Sequence, residues 1–573
     1  MPPKTTRAHA ETKPAQDVNP ARDAKLGSGS KKPAKTTVPD AAPVPVSVST
    51  PVSTPVPTPA STAAAGSKKI TSVSAVVPIA SEALSAVHDT TILRVLHVAS
   101  EMHPLIKTGG LADVLGALPE ALARRGLDVR VAIPGYRKAI AAAQKYGLTW
   151  SAMPMTIEVG GIDHQVGIGT VRMGGVTIYL IACNECFDRD GVYGPTPNHD
   201  YEDNPRRFVL FCKAALALPG ALGWKPHVLH CHDWQTGLIP ALRERGFAQS
   251  LPATRTVFSI HNIAYQGVFW HFDMKLTGLD WALFNPLQLE HYGKLNCLKA
   301  GIVFADRVTT VSRRYAEEIQ TAEFAFGLES VIKGHGYKLS GITNGIDAEQ
   351  WNPGTDRQIA AVYHADDLAG KAACKAALKR EANLAPGNAV VACVVSRLVE
   401  QKGIDLVIDA IEPYILAGRL QLVVLGAGDY HLEQRLNALQ ARHPGWVYAW
   451  YGYNENLAHQ YIAGADIFLM PSRTEPCGLT QMYAMRYGTL PIVRFTGGLA
   501  DTVTDVAVGS GTGFTFGPID LGHFSSVIDR ALGLYEHFPA QWREAQVRAM
   551  KHDSSWTQVA DDYEALYRAI SMP

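Results

Sequence analysis

The sequence has no excess of one charge, few cysteines and no long apolar run, and each absence excludes a class of protein. Lys plus Arg and Asp plus Glu number 53 each, so no basic surplus favours a nucleic acid or an anionic membrane as partner. Eight cysteines among 573 residues are too few for a disulfide framework and predict a reducing compartment. No stretch reaches the roughly 18 to 20 apolar residues of a membrane-spanning helix. Because 47% of the residues are hydrophobic, we expect large buried cores and more than one domain.

Aromatic residues are absent from residues 1–90, where Pro, Ala, Thr, Ser and Val dominate. Such a segment cannot bury enough apolar surface to offset its ordering entropy, so we predict a disordered, low-complexity tail. Its start lacks the apolar core of a secretory signal, and Glu11 and Asp17 disfavour an organelle-targeting peptide. We therefore expect a cytoplasmic protein.

Short runs rich in Val and Ile alternate with helix-length segments from residue 92 onward. The first series comprises ILRVLHVAS, DVRVAIP, TIYLIAC, HVLHCHD, RTVFSIHN and RVTTVS, and the second comprises VVACVVSRL, LQLVVLGAG, VYAWYGY, DIFLMPS and LPIVRFTGG. Repeated strand–helix units imply mainly parallel sheets that are covered by helices on both faces. The sequence thus predicts an α/β fold of two doubly wound, Rossmann-like lobes, over 91–340 and 341–573.

The hexapeptide TGGLAD occurs twice, at 108–113 and at 496–501, each time between a predicted strand and a predicted helix. Glycines there let backbone amides approach an anion at a helix start, and Lys107 adds a positive charge. The alternatives are that the glycines only make tight turns, that Asp113 only complements the helix dipole, or that the repeat is a coincidence.

Charged residues also follow two predicted strands of the second lobe. Arg397 and Lys402 come after VVACVVS, where two cations predict an anionic partner, and Gly403 beside them indicates a close backbone approach. Solvation at the surface is the alternative. Glu475 lies between a strand that ends near Ser472 and a helix that starts near Leu479. It can cap a helix or accept hydrogen bonds from sugar hydroxyls, and the spacing alone does not choose.

Three patterns could be mistaken for metal sites. His230 and His232 share one face of a predicted strand, but no third ligand of suitable spacing follows. Cys183 and Cys186 have CxxC spacing without a second pair or a histidine nearby in the sequence, so we predict ordinary thiols. The DRD at 188–190 only imitates a metal-binding DxD. The sequence therefore predicts no metal, and Arg and Lys must screen any phosphates.

A polar group follows the predicted strand RTVFSI: His261, Asn262, Tyr265 and Gln266. These side chains are of the kind that grips a hydroxylated ligand. For His261 the alternative is a histidine buried in the core.

Seven motifs together resemble those of bacterial glycogen synthases and plant starch synthases: KTGGLADV, CHDWQTG, HNIAYQG, ITNGID, SRLVEQKG, SRTEPCGL and TGGLADTV. The motifs run in the family's order and cover the chain from about residue 92 to its end. Cys231 and Thr474 depart from the family's usual residues without removing a charged group. KTGGLADV, where plant enzymes tend to have KTGGLGDV, favours a bacterial enzyme.

The resemblance implies the GT-B glycosyltransferase fold, two lobes facing a central cleft, with glucan acceptor on the first lobe and donor on the second. We expect the last helix to pack back on the first lobe. The resemblance implies catalytic roles for Glu475, His261, Lys402 and Arg397. It implies donor binding by Lys107, Gly109, Gly110, Thr496, Gly497 and Gly498. It implies sugar or cleft contacts for Asp113, Asp233, Asn262, Tyr265, Gln266 and Asn344.

The implied reaction moves glucose from ADP-glucose to the non-reducing end of glycogen or another α-1,4-glucan, with retention of configuration and without a metal or other cofactor. No motif indicates a carboxylate nucleophile, and this favours front-face displacement over a covalent intermediate. ADP as the carrier rests on the family alone. Two other functions stay open: a related GT-B transferase with a small sugar acceptor, and a catalytically silent glucan-binding protein.

Overall fold

The computed structural model describes residues 92–196, 199–247, 249 and 251–571. The predicted tail, 1–90, lies outside these residues. Within the described ranges, no helix combines the length and the apolar character needed to cross a bilayer.

Every predicted strand is present, and additional ones join them. The strands up to residue 341 are β1 (Arg94–Val98), β2 (Asp128–Pro134), β3 (Thr149–Trp150), β4 (Met155–Val159), β5 (Ile162–Met173), β6 (Val176–Ala182), β7 (Val228–His232), β8 (Arg255–Ile260), β9 (Val268–Phe269), β10 (Glu290–His291), β11 (Lys294–Asn296), β12 (Arg307–Thr310) and β13 (Leu339–Gly341). The later strands are β14 (Val390–Val395), β15 (Leu420–Gly426), β16 (Val447–Tyr451), β17 (Ile467–Met470), β18 (Leu490–Arg494) and β19 (Phe514–Phe516).

Helices separate most of the strands. Those before residue 342 are α1 (Gly110–Arg124), α2 (Arg137–Gln144), α3 (Asn184–Phe187), α4 (Asn204–Ala221), α5 (Leu238–Leu242), α6 (Met274–Thr277), α7 (Cys297–Phe304), α8 (Arg313–Glu318) and α9 (Glu329–Gly334). Those after it are α10 (Ala369–Glu381), α11 (Ile404–Leu416), α12 (Tyr430–Arg442), α13 (Glu455–Gly464), α14 (Thr480–Arg486), α15 (Gly497–Thr502), α16 (Leu521–His537), α17 (Pro539–Lys551) and α18 (Trp556–Ser571).

The first lobe is built on a large sheet in the order β13-β12-β8-β7-β1-β2-β6-β5-β3, with β4 paired to β5. Its strands from β13 to β6 are parallel, as the sequence predicts. The strands β3, β4 and β5 pair antiparallel at one edge, and β10, β11 and β9 form a small separate sheet. These antiparallel additions were not predicted from the sequence.

The second lobe is built on a parallel sheet in the order β16-β15-β14-β17-β18-β19. Each sheet reverses its direction of winding in the middle, between β1 and β7 in the first lobe and between β14 and β17 in the second. The carboxyl ends of the strands at such a reversal are where open α/β sheets bind ligands. The polar motifs of the sequence follow these strands or their immediate neighbours.

The chain passes between the lobes in two segments that lie side by side. Ile346, after β13, donates its backbone N–H to Ser554 O at 2.7 Å, just before α18 begins. Gly345 faces the same segment, and an added Cβ would clash with the backbone of Ser555 and Trp556. Glycine is therefore required here by the close approach of the two segments.

The last helix, α18, lies against the first lobe. Tyr567 hydroxyl and His230 Nδ1 are 2.6 Å apart in the core. At the surface, Arg125 forms ion pairs with Asp561 and Glu564 at 2.5 and 2.6 Å.

Candidate active site

Loops from the two lobes meet where the strands end. Ser312 hydroxyl, at the start of α8, donates to Pro476 O at 2.7 Å, and Arg314 N donates to Asp501 at 3.0 Å. Glu318, on the same helix, accepts from Thr496 hydroxyl at 3.1 Å. These contacts hold the Glu475 loop and the second TGGLAD segment against the first lobe.

Lys402 and Glu475 form a close ion pair although they are far apart in the sequence. Lys402 Nζ lies 2.5 Å from Glu475 Oε2, which also accepts from Ser472 hydroxyl at 3.0 Å. Glu475 is buried and Lys402 is half-buried. Gly403 approaches Pro471 so closely that an added Cβ would clash with its carbonyl, so the glycine is required by a contact within the protein. A single rigid unit therefore presents a cation and a carboxylate at the end of β14 and β17.

Two further cations face the cleft. Arg397 is exposed, and its guanidinium reaches Tyr265 hydroxyl of the first lobe at 3.4 Å. Lys107 pairs with Asp113 at 2.7 Å and lies 5.9 Å from the centre of the Tyr453 ring of the second lobe. Desolvation raises the pKa of Asp113, although the Lys107 charge opposes that shift. Both predicted cations are thus placed to meet a ligand that spans the lobes.

The backbone amides of the two TGGLAD segments are less free than the sequence predicts. Thr108 and Gly109 donate their N–H groups to the buried carboxylate of Glu101, and Gly497 donates to Glu318 at 3.0 Å. Gly498 N–H is bonded to Glu475 O at 3.1 Å, so the second segment supports the Glu475 loop. Of the predicted donor-binding glycines, Gly110 alone has an N–H without an acceptor among the described residues.

A better source of free amides is the start of α14, which was not predicted from the sequence. The N–H groups of Gly478, Leu479 and Thr480 have no acceptor within the described part of the chain. Leu479 is adjacent to Gly110, because a methyl group added there would lie 3.9 Å from Leu479 Cδ1. Amides at a helix start attract anions. The glycine in EPCGLT, between a strand and a helix, was the available signal.

His261 ends a chain of buried histidines. Its Nε2 lies 3.0 Å from His232 Nδ1, and His232 Nε2 lies 3.0 Å from His97 Nδ1. Burial lowers the pKa of His261 and of His97 to about 3, so both rings are neutral at physiological pH. No third ligand of suitable spacing follows His230 and His232 in the sequence, but the fold brings His97 of β1, which precedes them, beside both.

Asp233 fixes the backbone of the His261 loop. Its φ of 57° is rare for a residue with a side chain, and its Oδ1 accepts from His261 N at 2.7 Å. Burial raises the pKa of Asp233 to about 7, although hydrogen bonds from the His261 and Asn262 amides oppose the shift. The group therefore titrates near neutrality.

We expect kcat/KM to fall about tenfold per pH unit below about pH 7, because protonation of Asp233 weakens its hold on the His261 amide. Asp233→Asn should be less active, and its kcat/KM should not show this fall below about pH 7. Stability changes in the opposite sense: a raised folded-state pKa stabilises the fold at low pH, and this contribution is lost as pH rises from about 4 to about 7. Rate profiles and melting curves of both proteins test this; the same fall in Asp233→Asn would contradict it.

The remaining predicted polar groups shape the cleft in different ways. Asn262 accepts from Ala264 N at 3.0 Å, and Gln266 donates to Phe326 O at 3.0 Å. Asn262 thus organises its own loop, whereas Gln266 ties its loop to the segment around Phe326. Asn344 is buried, and its Oδ1 has no partner among the described residues.

Comparison with known proteins places this cleft in a family. Residues 94–334 match the family described as the starch synthase catalytic domain, and residues 376–546 match glycosyl transferases group 1. A glycogen synthase from Anaeromyxobacter sp. (strain Fw109-5) is 46% identical over 84% of this chain and 100% of its own length. Glycogen synthase 2 from Geobacter sulfurreducens is 45% identical over 83% and 98%, respectively.

Solved structures support the same family and fold. The catalytic domain of starch synthase IV from Arabidopsis thaliana, bound to ADP and acarbose, has a TM-score of 0.78 and 34% identity, covering 84% of this chain and 100% of that one. A sucrose-phosphate synthase from Thermosynechococcus elongatus has a TM-score of 0.52 at 18% identity, covering 83% and 99%, and shows the fold alone. Two doubly wound lobes around a cleft lined by Lys402, Arg397 and Glu475 define a GT-B glycosyltransferase. The chain belongs to the glycogen synthase and starch synthase family.

Proposed function

We propose that the chain is a glycogen synthase that transfers glucose from ADP-glucose to the non-reducing end of an α-1,4-glucan with retention of configuration. The observation that carries the proposal is the Lys402–Glu475 pair at 2.5 Å. Arg397 lies nearby in the sequence, because it follows β14, the strand that also precedes Lys402. Its relatives are named glycogen synthases, and the similar starch synthase IV from Arabidopsis is bound to ADP and acarbose.

Side chains and amides provide the positive charge that a diphosphate leaving group requires. Lys402, Arg397 and Lys107 offer three cations around the cleft, and the start of α14, next to Gly110, offers backbone amides. Preorganised donors of this kind stabilise charge as it develops in the transition state. The proposed transfer therefore needs no metal ion at the phosphates.

Retention is best served by front-face displacement. Glu475 is held by Lys402 and Ser472, while Asp233 accepts backbone amides of its own loop. Neither is a free nucleophile for a covalent intermediate. In the proposed step the C1–phosphate bond breaks as the acceptor oxygen attacks the same face of the sugar, and the acceptor's proton passes to the departing phosphate. Glu475 orients the ring, and neutral His261 lies beside the reacting carbon.

A polymeric acceptor is supported by exposed aromatic rings on the first lobe. Trp270 and Trp281 are each about half exposed, at 60% and 47%, and Phe272 lies between them with ring centres 4.7 and 6.3 Å away. Flat apolar rings suit the faces of successive glucose units. A transferase with a small acceptor has no need of such a surface.

The thiol chemistry supports the proposed cytoplasmic location. All eight cysteines, which lie between Cys183 and Cys477, are buried as free thiols. Unpaired cysteines are typical of a reducing compartment.

The experiment measures incorporation of glucose into glycogen by the purified chain, with ADP-glucose and UDP-glucose compared in buffer without added magnesium or manganese. Parallel reactions replace glycogen with fructose, glucose or glucose 6-phosphate. We expect transfer from ADP-glucose to glycogen, at least about tenfold better in kcat/KM than from UDP-glucose.

Each alternative has its own result. Transfer only to a small sugar would replace the proposal with another GT-B activity. Glycogen binding without transfer from either donor would identify a catalytically silent glucan-binding protein. Dependence on added magnesium would contradict the proposed screening of the phosphates by side chains.

A further inference from the structure

A second cluster of chemically active side chains lies at the β5–β6 side of the first sheet. His164 is near the start of β5, and Cys183 and Glu185 follow directly after β6. Their ligand-capable atoms all lie within 4.8 Å of one another, with His164 Nδ1 3.1 Å from Glu185 Oε2. His164 and Cys183 are buried, whereas Glu185 is exposed. None of the three has a role in the proposed transfer reaction.

The fold supplies the partner that is missing in the sequence. The CxxC at Cys183 and Cys186 is expected to be ordinary because no histidine lies near it along the chain. Antiparallel pairing of β5 with β6 brings His164 beside Cys183. The ring nitrogen that faces the carboxylate is Nδ1, 3.1 Å from Glu185 Oε2, and it is the nitrogen placed to share an ion with Glu185 and Cys183.

The three ligand types together select a particular kind of ion. A thiolate, an imidazole and a carboxylate suit Zn²⁺, whereas Mg²⁺ and Ca²⁺ prefer oxygen ligands alone. Thiolate is the form of cysteine that binds metals, so Cys183 ligates the ion as its proton is lost.

The other histidine cluster, His97, His230 and His232, is less suited to bind a metal ion. His230 is bonded through both nitrogens, to Tyr567 and to Ser259, and all three rings are fully buried. By contrast, His164, Cys183 and Glu185 line a pocket of about 510 Å³. This pocket provides a path for an ion and room for a further ligand.

We propose that Cys183, His164 and Glu185 bind one Zn²⁺ ion, with the fourth coordination position open to the pocket. Binding forms a Zn–S bond as the Cys183 thiol gives up its proton to solvent. The ion would tie the start of β5 to the segment after β6. This site is independent of the proposed glucosyl transfer, and its test does not rely on that activity.

The test titrates the full-length, chelator-treated protein with Co²⁺, which reports tetrahedral thiolate ligation through a charge-transfer band and visible absorption. We expect one equivalent of Co²⁺ to bind, and one equivalent of Zn²⁺ to displace it. Cys183→Ser should abolish the charge-transfer band, and His164→Gln should weaken binding about 100-fold or more. Zn²⁺ should raise the melting temperature of the unaltered chain but not of these variants.

Matched variants separate this site from other thiols and from misfolding. Cys374→Ser, at a buried cysteine of the second lobe, should bind Co²⁺ as the unaltered chain does. Glu185→Gln changes an exposed side chain, so we expect the fold to be kept and metal binding to weaken about tenfold. Absence of a charge-transfer band in the unaltered chain, its persistence in Cys183→Ser, or unchanged affinity in Glu185→Gln would each overturn the proposal.

Discussion

Replacing Glu475 with glutamine is expected to reduce kcat by about a thousandfold while the chain still folds. Glutamine has the same shape, so the loop between β17 and α14 keeps its packing. The loss is electrostatic: Lys402 Nζ no longer faces a carboxylate at 2.5 Å, and the proposed sugar-orienting group loses its charge. Steady-state rates with ADP-glucose and glycogen, together with far-UV circular dichroism, measure both parts of the expectation.

The control for Glu475→Gln is a carboxylate of the same lobe that also meets a cation. Glu400 is 3.7 Å from Arg473, but its side chain is 82% exposed, and Glu400→Gln should leave kcat within about twofold of the original. Near-normal turnover by Glu475→Gln would remove Glu475 from the reaction. An equal loss in both variants would point to a general electrostatic effect of the lobe.

The second large effect is expected at Lys402. Lys402→Met should lower kcat by about a hundredfold or more and weaken ADP binding, since the ammonium is proposed to neutralise the leaving diphosphate. It also leaves Glu475 as a buried carboxylate without its counter-ion. Arg397→Met should act in the same direction. The double variant should lose less than the product of the single losses, because both cations act on one developing charge.

Lys402→Arg tests whether charge or geometry matters more, since it keeps the charge and changes the shape. Arg435, paired with Asp409 at the surface of the same lobe, is the control, and Arg435→Met should leave kcat unchanged. Calorimetry with ADP measures the binding part. Full activity of Lys402→Met, or additive losses in the double variant, would contradict a shared role at the phosphates.

Much of the fold could be predicted because its signals are local. Buried parallel strands are short apolar runs, and β14 begins and ends within VVACVVS. Polar residues after such runs lie beyond the carboxyl ends of the strands, and the structure has Arg397 after β14 and Glu475 after β17, as the sequence predicts. The β3–β5 additions were missed because IDHQVGIGTVRM contains two glycines and mixed polarity, so β5 does not resemble a buried strand.

The pairing of residues could not be predicted, because it depends on which loops meet. Lys402 and Glu475 were assigned separately, and nothing local shows that one neutralises the other. The amides of Thr108, Gly109 and Gly497 are free in the sequence pattern, but the fold brings Glu101 and Glu318 to them. His97 lies in an ordinary strand sequence, and only the pairing of β1 with β7 makes it a neighbour of His232.

The position of α18 has a consequence for biosynthesis. Its residue Tyr567 completes the surroundings of His230, in the middle of the first sheet, yet it follows the whole second lobe in the sequence. Synthesis proceeds at about 5 to 20 residues per second. Until the whole second lobe has been made, His230 and the apolar face of the first lobe that binds α18 therefore stay uncovered. Maturation of the first lobe is therefore tied to synthesis of α18, and a product truncated before α18 also leaves the first lobe incomplete.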